Sequence, residues 1–228
     1  MRAMPSRNSA PPPRPEAGPV TAVRESPRRA GRYTVEIGGI PVTPVGVETI
    51  SELALAVGRA LSAEVVARLL EASAATFCYD KALDALARKG RSQRELERYL
   101  KQRDHSPEAI SCACERLLAL GLLDDEAYAR AYAEGPARAR GFGFRRTVSE
   151  LRRRGVESAL VDRVIGPRDE EARESEQLTL DAAAGRRAKS LRSLEPAVAY
   201  RRLVGWLVRR GFGIGEAARA ARQALKEE

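Results

Sequence analysis

One pattern constrains this chain more than any other. Leu96 and Leu100 lie in a short amphipathic stretch that runs into the basic segment KQRDH. Thr147 and Leu151 lie in another that runs into RRRGV, and Leu203 and Leu207 in a third that runs into VRRGF. A period of about fifty residues is the mark of tandem repeats, each too small to bury a large core alone. Each round carries start and stop signals for three helices. The first comprises AATFCYDKALDALARKG, with Phe77, Leu83 and Leu86 on one stripe and Gly90 as its stop, then SQRELERYLKQR, opened by the capping box of Ser92 and Glu95. It closes with SPEAISCACERLLALG, in which Ser106 is the cap, Pro107 the first helical residue and Gly121 the end. The second round runs through DDEAYARAYAEGPARARG, capped by Asp124 with Tyr128 and Tyr132 four apart, then GFRRTVSELRRRG and ESALVDRVIG. The third runs through DEEARESEQLTLDAAAGRRAKSL, EPAVAYRRLVGWLVRRG and GEAARAARQALKE.

Upstream the periodicity changes. In RYTVEIGGIPVTPV, Tyr33, Val35 and Ile37 alternate with polar residues, Gly38-Gly39 turns the chain, and Ile40 and Val42 return, which predicts a β-hairpin. Pro41 and Pro44 restrict the second strand to an edge. The hairpin needs a helix to lean on, and SAEVVARLLEAS supplies Val65, Val66, Leu69 and Leu70 on one face. Residues 1–30 are rich in proline and arginine with few large apolar side chains, so they are expected to form a disordered tail. The expected fold is therefore mainly α. It is an elongated array of three tandem three-helix repeats (73–122, 123–167 and 168–228), preceded by a small β-hairpin plus helix over 31–72.

Composition excludes several function classes. A single histidine, His105, rules out a histidine-rich metal site and a catalytic triad built elsewhere in the chain. Cys78, Cys112 and Cys114 form no CxxC pair, and Cys112 and Cys114 fall on roughly opposite faces of one helix. Gly141-x-Gly143 lacks the third glycine and the preceding strand of a nucleotide-binding loop. The run Asp124-Asp125-Glu126 is explained by a helix N-terminus, which favours acidic residues. No catalytic constellation, metal site or cofactor motif is expected, and with no apolar span or secretory leader the cytoplasm is the expected compartment.

The net charge of +9 points to a polyanionic partner, nucleic acid or an acidic protein surface. Residues 136–155 hold seven arginines against one acid. Thr147, Val148 and Leu151 share the inner face of their helix, and Glu150 lies four residues from both Arg146 and Arg154, pairing off part of the charge. The candidate binding residues are Arg138, Arg140, Arg145, Arg146, Arg152, Arg153 and Arg154 in round two, and Arg201, Arg202, Arg209 and Arg210 in round three. Three-helix units of this size also resemble helix-turn-helix modules, so a DNA-reading helix and a plain solvated face both remain open. Trp206, Phe212, Phe142 and Phe144 lie nearby, where core packing is the expected role and base stacking the alternative.

Three stretches together resemble the RecX family of RecA regulators: SQRELERYLKQRDHSPEAISCACERLLALGLLDDEAYARAY, RGFGFRRTVSELRRRGV and YRRLVGWLVRRGF. The resemblance covers roughly residues 73–225. It implies a non-catalytic, all-helical protein, monomeric, that lodges in the groove of the RecA–DNA filament. There it would dampen strand exchange, ATP hydrolysis and co-protease activity, in DNA repair, recombination and the SOS response. Single- or double-stranded DNA is the alternative partner, bound by a free-standing helical module. The chain departs from the family pattern at Phe144, where a proline is usual, and at Gly135-Pro136, where the first helix of round two is expected to kink or end.

Overall fold

The computed structural model describes residues 14–166 and 169–226, which fall into two compact units, one of residues up to 87 together with 99–116 and one of residues 88–98 together with 117–226. The portion of the expected tail at 1–13 lies outside the described residues.

The first unit contains a four-stranded antiparallel sheet in the order β3-β2-β1-β4: β1 Gly18–Glu25, β2 Arg32–Ile37, β3 Ile40–Gly46 and β4 Ala60–Leu61. The β2–β3 hairpin turns at Gly38 and Gly39, whose φ values of 55° and 84° suit a tight primed turn. β3, with Pro41 and Pro44, is at the sheet edge as expected. Strand β1 corrects the reading of residues 1–30 as a tail without structure. Val20 is fully buried in the core with Val35, Ile37, Val42 and Val45, and β1 pairs with both β2 and β4. Composition misjudged this segment because strand pairing satisfies its backbone with only a few apolar side chains.

Charge then ties the sheet to a helix. Arg32 forms a bidentate pair with Asp80 (2.7 and 3.1 Å), and Arg29 reaches Asp80 at 3.0 Å and Asp84 at 2.6 Å. Both acids belong to α2, a single helix of 26 residues, Ala63–Arg88. Two helices were expected here, but SAAT contains no glycine or proline to stop the first. Thr76 Oγ1 donates to the Ala72 carbonyl (2.8 Å) within the continuous helix. The buried side of its second half is Cys78, Tyr79, Ala82 and Ala85 rather than the Phe77–Leu83–Leu86 stripe; Phe77 is 44% exposed and packs its ring 5.3 Å from His105. Short α1 (Val47–Glu52) precedes β4. After α2 come α3 (Gln93–Lys101) and α4 (Pro107–Ala119).

The second unit holds rounds two and three. In round two, α5 (Asp125–Tyr132), α6 (Phe144–Arg153) and α7 (Ser158–Ile165) enclose Ala129, Tyr132, Ala137, Leu151, Val156 and Val161. At Gly135-Pro136, where a kink or an end was expected, the helix does not end: a π-helical segment, Ala133–Ala137, interrupts it and the helix then continues. Proline cannot donate to the α-helical ladder, and one widened turn absorbs that loss without ending the helix. In round three, α8 (Glu170–Ala188), α9 (Pro196–Arg209) and α10 (Ile214–Lys226) pack around Leu180, Leu203, Leu207 and Phe212. Four alanines of α10 (Ala217, Ala220, Ala221, Ala224) form its buried stripe, allowing close helix approach with little bulk.

The Asp80 cluster makes a testable claim. Asp80→Ala leaves Arg29 and Arg32 facing each other half-buried and is expected to cost about 3 kcal/mol in urea unfolding. Arg24→Ala breaks only the exposed pair with Glu36 and is expected to cost less than about 1 kcal/mol.

Candidate functional site

The second helix of each later round ends in the same way. After α6, Gly155 (φ 93°) donates to the Arg152 carbonyl at 2.9 Å and Val156 to the Leu151 carbonyl at 3.1 Å. After α9, Gly211 (φ 94°) donates to Val208 at 2.9 Å and Phe212 to Leu207 at 3.4 Å. Left-handed backbone at this position turns the chain out of the helix, and glycine adopts it without strain. The residue after the glycine, Val156 or Phe212, returns into the core.

That turn is also where successive rounds meet. At the first joint, the Arg154 carbonyl accepts from Ser92 Oγ (2.6 Å) and from Arg98 (3.2 Å), while Ser92 Oγ caps α3 by accepting from the Glu95 N–H (3.1 Å). A Cβ on Gly155 would sit 2.5 Å from the Arg94 Cβ. At the second joint, Gly143, which occupies the same cap position before α6, donates its N–H to the Arg210 carbonyl (2.8 Å). A Cβ on Gly143 would lie 2.7 Å from Phe212, and one on Gly211 would collide with the Arg146 backbone. Both glycines of the GFGF stretch therefore serve chain geometry: Gly141 turns at φ 64° and Gly143 admits the neighbouring repeat.

The two joints differ in charge. At the first, the Arg154 guanidinium is 12% exposed, bonded to Glu95 (2.7 Å) and Tyr128 Oη (3.2 Å), and stacked 4.6 Å over the Tyr132 ring. Tyr128 Oη donates to Glu95 at 2.9 Å; burial, then this hydrogen bond, pushes its pKa up to about 12. At the second joint the position of Glu95 is taken by Arg146. The Arg210 guanidinium stacks on Trp206 (4.1 Å) and faces Phe142 (5.7 Å), with Arg186 and Arg187 close by. Burial, then the charges of Arg186, Arg146 and Arg187, lower its pKa.

The eleven candidate arginines have unequal surroundings. Arg154 is enclosed at the first joint, which makes it a link between repeats and removes it from the outer face. Arg138 bonds to Ser175 Oγ, Arg152 to Asp162 (2.7 Å), and Arg146 and Arg153 each to Glu150 (2.6 Å). Arg140, Arg145, Arg201, Arg202 and Arg209 are exposed, and Arg210 is half-buried. Glu150 pairs with Arg146 and Arg153, so the expected pairing with Arg154 is replaced by one three residues along. Its carboxyl is buried beside Thr147 and Leu151, while Val148 is only half-buried. Burial pushes the Glu150 pKa up, but the Arg153 hydrogen bond and the charges of Arg153, Arg146 and Arg154 outweigh it and hold the carboxyl below its ordinary range. Sequence reasoning overlooked Arg186, Arg187, the pairing of Glu95 with Arg154 and Tyr128, and the inward Glu150. The overlay of leucines that defined the repeat already aligned Glu95 with Arg146.

Cys112 is exposed and Cys114 buried, as their spacing predicts. Among the described residues no cluster of His, Cys, Asp and Glu gathers to hold a metal, and no helix is long and apolar enough to cross a membrane.

Known proteins share this arrangement of joined three-helix units. The model of the RecX first three-helix domain matches residues 78–117 and that of the second matches 124–165. A regulatory protein RecX from Streptomyces coelicolor is 37% identical over 138 residues, 60% of this chain and 72% of the relative. The chain belongs to the RecX family. A RecX from Levilactobacillus brevis is 28% identical over 194 residues, covering 85% of this chain and 71% of the relative. A crystal structure of a regulatory protein RecX shares the fold, with a TM-score of 0.68 at 21% identity over 93% of this chain and all of the other. The model boundaries place the Ser92–Arg154 joint between the first and second RecX domains, and membership of a family of regulatory proteins supports a regulatory role.

Three variants check this geometry and its electrostatics. Gly211→Ala combines left-handed backbone with a backbone collision and is expected to cost about 3 kcal/mol or more, read as a fall in Tm. Gly121→Ala, at φ 65° with open space around it, is expected to cost only about 1 kcal/mol. Glu150 contributes stability above the ordinary glutamate pKa that is lost as pH falls through its depressed folded value. The Tm of the wild type should therefore fall more steeply than that of Glu150→Gln between about pH 5 and pH 3.

Proposed function

We propose that this protein is a non-catalytic regulator of the RecA recombinase that binds the RecA–DNA filament and dampens its strand exchange, ATP hydrolysis and co-protease activity. The observation that carries this reading is the repetition of arginines at equivalent places on α6 and α9 in a member of the RecX family. Arg145 corresponds to Arg201, Arg146 to Arg202 and Arg153 to Arg209. Within each helix, Arg146 and Arg153, or Arg202 and Arg209, are seven residues apart and so fall on one face. A filament is a periodic partner, and a binder that presents equivalent cations from successive repeats can engage it at more than one place. The linkage multiplies weak contacts without any single deep pocket.

Between the two helices, α9 carries the freer charge. Glu150 neutralises part of the α6 set, whereas Arg202 and Arg209 are exposed with no ion pair among the described residues. Arg202→Glu with Arg209→Glu is therefore expected to fold normally and to weaken inhibition of the RecA ATPase by roughly tenfold or more. This corresponds to about 1.4 kcal/mol or more of lost binding. Inhibition at wild-type concentrations of the variant would refute the role given to this face.

A further inference from the structure

The second joint opens into a cleft of about 520 Å³ whose lining includes Arg140, Arg186, Arg187 and Arg210 with Phe142 and Trp206, and no carboxylate. Four guanidiniums around one open space repel one another, and the lining supplies no acid to offset them. Arg187 Nε is buried with no hydrogen-bond acceptor. Arg210 is held in place by the Trp206 ring, which lies 4.1 Å from its guanidinium carbon, and so cannot swing away to solvent freely. The equivalent place at the first joint shows what a closed version looks like: there Glu95 and Tyr128 hold the Arg154 guanidinium through one terminal nitrogen, although its Nε, like that of Arg187, has no hydrogen-bond acceptor. Arg146, in the place of Glu95, offers Arg210 no counter-charge. Four cations lining one open space without an anion describe a site organised for an anionic ligand.

We propose that this cleft binds the phosphodiester backbone of a single nucleic-acid strand. Arg140 and Arg186 hold phosphate oxygens from the rim, Arg187 and Arg210 hold them from the floor, and a base lies against the exposed part of Trp206. Arginine forks match phosphate oxygens in pairs. An acidic peptide would satisfy the charges equally, but it offers nothing flat to the half-buried indole, whereas every nucleobase does. This inference does not depend on RecA as the partner, because its test contains DNA alone.

Trp206 is the only tryptophan in the chain, so its emission reports on this cleft. The full-length protein is titrated with a fluorescein-labelled oligothymidylate, followed by anisotropy, and with the unlabelled strand, followed by Trp206 fluorescence. Binding should change Trp206 emission with the same midpoint as the anisotropy. Arg140→Ser with Arg186→Ser, both exposed and so compatible with the fold, should weaken binding by roughly tenfold or more. It should also reduce the salt dependence by about 0.7 log unit per log unit of salt for each phosphate no longer neutralised. Arg68→Ser with Arg88→Ser removes the same charge from exposed positions elsewhere on the chain and should leave binding unchanged. The proposal is overturned if Trp206 emission stays constant while anisotropy saturates, or if the control pair weakens binding as much as the cleft pair. It is overturned in favour of an acidic protein surface if oligoglutamate changes Trp206 emission as strongly as the oligonucleotide.

Discussion

The second unit depends on one backbone carbonyl per joint. At the end of α6 the Arg154 oxygen, and at the end of α9 the Arg210 oxygen, is left without a helical partner, as the last carbonyls of any helix are. Each is satisfied by the cap position of the preceding repeat's second helix, through the Ser92 hydroxyl at one joint and the Gly143 amide at the other. The same turn that exposes the carbonyl needs a residue at positive φ, and the same proximity forbids that residue a side chain. Gly155 and Gly211 meet both demands, so termination of a helix and docking of a repeat are one event. A three-helix unit with a small core of its own gains stability by sharing this interface, the general logic of repeat proteins.

What the joints then do is set by electrostatics. Arg154 is nearly enclosed, a costly position for a cation unless its hydrogen bonds are met, and Glu95, Tyr128 and the Tyr132 ring together stabilise it. Charge and packing there agree, and the joint is closed. At the second joint the geometry is retained but the charge is reversed: position 146 carries a cation, and α8 brings Arg186 and Arg187 alongside. The aromatic pair Phe142 and Trp206 gives Arg210 a surface to lie on but no negative charge. One architecture therefore yields a neutral seam and a cationic cleft: the second joint lacks the acid that Glu95 supplies to the first, and α8 adds two cations.

Local chemistry made much of this legible from the sequence. Ser92, Ser106 and Asp124 cap their helices as their spacing predicts, because a cap involves only its next two or three amides. Long-range pairing was not legible. β1 is built by strands that follow it in the chain, and its own composition gives little sign of them. α2 runs through the expected boundary near residue 72 because nothing in SAAT stops a helix. The end of the first round's second helix falls in the aligned segment KQRDH, where Asp104, at φ 60°, takes the place that glycine holds in the later rounds, and His105 takes that of Val156 and Phe212. Which of three consecutive arginines turns inward could not be read from α6 alone, since the amphipathic pattern allows for Glu150 on the outside. It follows only from the repeat register, which sets Arg154 against Glu95.

The same register explains why a basic composition need not mean a uniformly basic surface. Of the arginines in round two, one closes a seam against Glu95, two share a buried glutamate and another meets Asp162, so part of the surplus charge of that round is paired. Round three lacks a counterpart of Glu150: the aligned residue is Trp206, an indole in place of a carboxylate. That substitution frees Arg202 and Arg209 from a partner and gives Arg210 an aromatic bed. A change at this one helical position thus shifts a repeat from partly self-paired to outwardly cationic, while Leu203 and Leu207 keep the core that Thr147 and Leu151 define in the repeat before it. Because the core and charge-setting positions are distinct, sequence change can alter what a repeat binds without altering how it stacks.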